Sequence, residues 1–247
     1  YKRQITTYAA MYRGAFGSSY AFSETMVKAI PLMLTGLGVA VAFRMRFWNI
    51  GAEGQFVFGA IASAGVALFM QDFIPQSLLL PAVILAGVIA GALWAGIPAA
   101  LKAFIGVDET LTSLMLNYVA ILYAQYLFYG PWRDPEGYGF PGTALFPQSA
   151  WLPKLFGRAH FGLIFAIIAA CILWFVFNRT RWGFELKIIG ENKTAANYLG
   201  IKIARNILFA LLLSGGLSGL AGASEVAGVS RRLQTGLSLG YGYTAII

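Results

Sequence analysis

Whatever chemistry this 247-residue chain performs must come from a few polar side chains set among apolar ones. The densest group is Trp48-Asn49-Ile50-Gly51-Ala52-Glu53-Gly54-Gln55, where an acid and two amides alternate with glycines. The glycines permit a sharp turn or an interrupted helix, and backbone groups freed by such a turn need partners that Asn49 and Gln55 can supply. Glu53 is the sharpest candidate, because a carboxylate beside a membrane core is costly unless it is paired or wet. Arg44 and Arg46 are near enough in sequence to pair with it. Two readings stay open, a capped and salt-bridged connecting turn or the lining of a transport pathway. Asn117, Tyr118 and Gln125 are milder cases, for which hydrogen bonding between helices is the ordinary use. Lys193-Thr194 ends like a phosphate-binding loop, but the Gly-x-x-x-x-Gly-Lys spacing is missing, which excludes nucleotide hydrolysis by that route. The one histidine, His160, stands alone, so the clustered acids and histidines of an integral membrane enzyme are lacking. The one cysteine, Cys171, allows no disulfide and reads as packing material.

The elements that must position these residues are membrane helices. The 18 basic and 10 acidic residues avoid the runs 55–71, 73–101, 110–132, 161–178 and 206–224. Each run suits a bilayer core about 30 Å thick, which needs roughly 20 apolar residues. Ala29 to Phe43 is a shorter sixth, lengthened by the Lys28 stem. With 58% hydrophobic and 11% charged residues, too little polar surface exists for a water-soluble domain. The expected fold is an all-α, polytopic transmembrane bundle of six spans, one domain over residues 1–247 with a loop at 179–205. The net charge of +8 does not signify nucleic acid, since the basic residues form no stripe and instead sort by loop. The loop from Arg179 to Arg205 is the most basic and is placed in the cytoplasm. Alternation then puts Arg44, Arg46, Lys102, Asp108 and Glu109 inside, and Asp72 and the loop from Arg133 to His160 outside. Lys2, Arg3, Arg13, Arg231 and Arg232 fall outside by parity. The start at Tyr1 without an initiator Met and the stop at Ile247 inside an apolar run predict a fragment.

Small residues predict where helices touch, because in lipid close backbone approach supplies much of the association. Gly87 and Gly91 form one small pair, while Gly215 and Gly219 belong to a nearly continuous small face read as packing within the chain. Glu225 is expected to face the headgroups, and Pro98 to mark a hinge. In the basic loop, Asn192 can cap a short helix, Ala195 and Ala196 propagate it, and Gly200 can close it in the left-handed conformation. Such a helix, with exposed small residues, is either a docking knob for a partner or a solvated loop.

Four stretches carry a resemblance: F-W-N-I-G-A-E-G-Q from Phe47 to Gln55, G-V-D-E-T-L-T-S-L-M-L-N-Y from Gly106 to Tyr118, the turn from Gly130 to Pro135, and the loop from Thr180 to Ile201. Together they resemble the membrane permease subunit of ABC importers in the branched-chain amino acid and simple-sugar superfamily. The nearest branch is the one serving nucleosides through basic-membrane-protein-type lipoprotein receptors. That resemblance implies two permease subunits, two ATPase subunits that bind ATP and Mg, an extracytoplasmic solute-binding lipoprotein, and a bacterial inner-membrane location. It implies no catalytic residue, metal or cofactor in this chain. It makes Glu191, Asn192, Ala195, Ala196, Gly200 and Ile201 the loop that couples to the ATPase, and places Asn49, Gly51, Glu53, Gln55, Asn117 and Tyr118 near the translocation route. The chain departs from the branch at Asp108, often Asn, and at Glu191, more often apolar; the family usually adds a span before Tyr1 and helices after Ile247. Nucleoside is the first expectation for the solute, followed by simple sugar and branched-chain amino acid. An ATP-independent secondary transporter is the alternative, which would favour ionisable groups inside the spans; the five long runs have none.

Overall fold

A computed structural model describes residues 2–247. In chain order the helices are α1 (Lys2–Phe16), α2 (Ser19–Phe43), α3 (Ala52–Phe69), α4 (Gln76–Ala100), α5 (Glu109–Tyr129), α6 (Gly162–Arg179), α7 (Arg181–Glu191), α8 (Lys193–Tyr198), α9 (Ile203–Glu225) and α10 (Tyr241–Thr244). π turns at Leu101–Ile105 and Val226–Ser230 prolong α4 and α9. Among the described residues, α2, α3, prolonged α4, α5, α6 and prolonged α9 are the six helices long and apolar enough to cross a bilayer. The chain is therefore a multi-pass, all-α membrane protein, with one short hairpin of β1 (Lys154–Phe156) and β2 (Ala159–His160).

α2 begins well before Ala29. The Ser18 hydroxyl caps it by accepting from Ala21 N at 3.1 Å, and the helix takes in Glu24 and Lys28. Both charges are partnered, Glu24 by Arg158 at 2.9 Å and Lys28 by the Tyr241 hydroxyl at 3.1 Å. Counting apolar residues stopped at these charges, whereas pairing lets the helix run on.

α9 and α3 form the centre, each 67% buried over its most apolar window, against 22% for α6. Glycine makes this possible. Gly91 of α4 lies against the Gly215 carbonyl and Gly219 of α9, and Gly219 in turn lies against the Gly87 carbonyl and against Gly59 of α3. Gly222 sits on the Phe56 carbonyl, and a Cβ at any of these positions would run into backbone. Pro98 lies inside α4, one turn ahead of the π turn at Leu101–Ile105, and the helix runs through it without a break.

The two ends of the bundle differ. One gathers α7, α8, Arg44, Arg46, Lys102 and Glu109, the last two paired at 2.6 Å, and is the inner end by the charge argument. The other gathers the hairpin, Trp151 and Arg231, whose guanidinium lies 3.8 Å from the indole ring. From Arg231 the chain turns back. Gln234 bridges to Gly142, and by Ser238 to Tyr243 the backbone has re-entered the bundle.

Candidate functional site

Between α2 and α3 the backbone is not helical. Arg46 adopts a left-handed φ of 54°, Phe47 to Asn49 run without regular structure, and Ile50 and Gly51 turn into α3. This run lies deep. Its partner Asn117 is two turns into α5, roughly 12 Å along the axis, and Ser214 is three turns into α9, roughly 16 Å, both measured from the inner end. Open backbone survives at membrane depth only where the protein itself supplies hydrogen bonds.

Two buried amides supply them. The Asn49 carbonyl oxygen accepts from Gly51 N at 3.1 Å and from the Gln55 amide at 3.0 Å. Its amide donates to Gln55 at 3.2 Å and to the Ser214 hydroxyl at 3.0 Å. Asn117 reaches across from α5, accepting from Gly54 N at 2.8 Å and donating to the Ile50 carbonyl at 2.8 Å and the Tyr243 hydroxyl at 3.3 Å. Gly54 is needed for this approach, since a Cβ there would lie 2.8 Å from the Asn117 oxygen.

Glu53 is 2% exposed, and its carboxylate turns toward the re-entrant segment rather than toward arginine. It accepts from Gly242 N at 2.7 Å and from the Ser238 hydroxyl, whose oxygen also takes Gly240 N at 3.3 Å. The expected pairing with Arg44 or Arg46 does not form; Arg44 lies over the Phe177 ring at 4.7 Å. Loop proximity in sequence misled because the backbone climbs away from both arginines before α3 starts. Tyr118, the next residue along α5, is 55% exposed and forms no hydrogen bond to the bracket, although it lies close enough to Tyr243 to act on its hydroxyl electrostatically. The residues that complete the site, Ser214, Ser238, Gly242 and Tyr243, come from far along the chain and carry no local signal beyond the glycine-rich Gly240-Tyr241-Gly242-Tyr243.

Ionisable groups are more deeply set than composition implied. Glu225 is 6% exposed, facing inward rather than to headgroups, and Glu53 and Lys28 lie within spanning helices. Cys171 is exposed on α6 and is not core packing. His160, just outside α6, is 1% exposed between Gly162 and Gly228, and burial pushes its imidazole down to about 4.

At the inner end the elbow is a two-helix unit. Thr180 caps α7 by accepting from Gly183 N at 3.1 Å, and Asn192 caps α8 by accepting from Thr194 N at 2.9 Å and Ala195 N at 3.1 Å. Gly200, at φ 73°, closes it, with Ile201 N donating back to the Ala196 carbonyl at 3.0 Å. Ala196 is not an exposed small residue; it is fully buried with Leu186, Ile189, Met45 and Phe47. Gly190 lies directly on the Arg44 carbonyl. The outward face carries Tyr198 (89% exposed), Leu199 and Phe184 instead, beside Glu191 and a half-buried Ala195. The elbow thus rests on residues 44–47, which lead directly into the unwound run and Glu53.

Residues 21–247 match the family described as branched-chain amino acid transport system / permease component. The chain is 38% identical to a glucose ABC transporter permease protein of Haloferax volcanii over 98% of its length and 66% of the relative's. It is 36% identical to a guanosine ABC transporter permease protein of Bacillus subtilis over 90% of its length and 64% of the relative's. With a nucleoside ABC transporter permease protein of Lactococcus lactis the figures are 33%, 88% and 62%. The chain thus spans about two thirds of the length of these relatives. No solved structure matches it.

Proposed function

The chain belongs to the branched-chain amino acid transport system / permease family, and from that premise we propose that it forms the membrane-spanning permease part of an ATP-driven ABC importer for a small neutral polar solute. A nucleoside is the first reading of the solute, supported by the guanosine and nucleoside relatives. A simple sugar is the second, favoured by the glucose relative. In this reading two ATPase subunits bind ATP and Mg, a second permease subunit completes the pathway, an extracytoplasmic lipoprotein receptor delivers solute, and the assembly sits in the bacterial inner membrane. No covalent step occurs in this chain.

The observation that carries the reading is the continuity from elbow to site. Force applied at Tyr198 and Leu199 would pass through Ala196 and Gly190 to Arg44, Met45 and Phe47, and from there into the bracketed segment ending at Glu53. A non-helical segment held by side-chain amides, rather than by a continuous helix ladder, suits a part that must move between inward-open and outward-open arrangements. Buried acids inside the spans remove the compositional objection to an ion-driven transporter, so family membership carries the choice of ATP as the energy source. Uptake of labelled guanosine and of glucose into proteoliposomes holding the full-length permease, its ATPase and its receptor tests this. Uptake that needs ATP is expected for one of the two; uptake of equal rate without ATP would contradict it.

A further inference from the structure

A cavity of about 200 Å³ opens beside Glu53, between α3, α5 and the re-entrant segment. Val57 and Phe128 give it an apolar wall, while Gln125, Gln234 and Thr235 face them. These three side chains make no hydrogen bond among the described residues, and Gln125 and Thr235 are exposed, whereas the buried amides Asn49, Gln55 and Asn117 are taken up by backbone groups or by one another. Uncommitted amides and a hydroxyl around a concave, partly aromatic wall form the kind of lining that orients a small ligand. Among the described residues, no basic side chain lines the cavity, and its one ionisable group is the Glu53 carboxylate.

We propose that this cavity is a solute subsite for a neutral, hydroxyl-bearing ring, with Gln125, Gln234 and Thr235 exchanging hydrogen bonds with ring hydroxyls over the Phe128 face. The inference rests on the transport reading above and narrows it. A phosphorylated solute would set its anion beside Glu53 with no cation to offset it, and the carboxylate of a zwitterionic amino acid would find none either. Ribose and pyranose hydroxyls share the donor and acceptor character that two amides and a hydroxyl match.

The test uses the full-length complex carrying Cys171→Ser, with Gln125→Cys or Thr235→Cys added singly and labelled by a hydrophilic maleimide. Neither side chain supports the fold by a hydrogen bond, so both variants are expected at wild-type membrane levels. Guanosine or glucose at saturating concentration should slow labelling at both positions about tenfold, by mass action at about nine-tenths occupancy, while leucine and guanosine monophosphate leave it unchanged. Labelling unaffected by either neutral solute, labelling slowed equally by leucine or the monophosphate, or positions that never label would each overturn the proposal. Protection reads binding and ATP-driven uptake reads transport, so a complex that protects without transporting sinks only the transport reading.

Discussion

Asn117 holds three groups from two distant segments, so its loss strands the Ile50 carbonyl and the Gly54 amide in a dry interior. At about 1–3 kcal/mol per stranded group, Asn117→Ala should lower the midpoint of thermal unfolding in detergent clearly. Tyr118→Ala, one residue away but exposed, should leave it nearly unchanged. Equal midpoints for the two variants would refute the bracket. His160 gives a pH signature. Its folded value of about 4 lies below the ordinary 6.5, so the unfolded chain binds the extra proton first as pH falls. Its contribution is therefore intact above pH 6.5 and is lost on acidification toward 4, by roughly 3 kcal/mol at 1.36 kcal/mol per unit. The difference in stability between wild type and His160→Leu, followed from pH 7 to 4, should shift by that amount in favour of the variant. At this scale the sequence disclosed which polar residues stand among apolar ones more readily than what they touch. Asn49, Gln55 and Glu53 stand out by type alone, but the partner of Glu53 lies far down the chain, where no local pattern pointed.

The helices meet through glycine, and their tolerance should follow the closeness of each meeting. Gly219→Ala puts a methyl against the backbone of α4 and should cost about 1–3 kcal/mol of stability, as overpacking does. Gly36→Ala in α2, with open space at its Cβ, should instead stabilise by about 0.5–1 kcal/mol. Unfolding midpoints of the two variants would tell whether close approach or mere glycine content sets the bundle. Charge-free runs were a dependable guide to five of the six spans, because a bilayer selects on length and polarity. They failed at the start of α2, where Glu24 is ion-paired with Arg158 and Lys28 donates to the Tyr241 hydroxyl, both partners lying outside the run. The capped helix α8 was legible from Asn192 and Gly200, since caps are local. Its outward face was not, because burial of Ala196 depends on Met45 and Phe47 of another segment.

Across the whole molecule, an inner elbow is joined to a clamped segment about halfway across the bundle. Six spans and two unlike ends follow from composition and charge, but the return of the chain after Arg231 does not, since a re-entrant stretch of seventeen residues or so has no hydropathy signature of its own. In the proposed reading, the elbow is where an ATPase partner would act. Tyr198 is the residue most open to a partner there, and a buried aromatic anchor in an interface is worth about 2 kcal/mol or more. The most direct measurement is the initial rate of ATP-dependent uptake by full-length complexes carrying Tyr198→Asp, compared with wild type at equal membrane level. A fall of about tenfold or more, with the unfolding midpoint of the permease unchanged, is the result expected; uptake at the wild-type rate would contradict the elbow as the point where force enters.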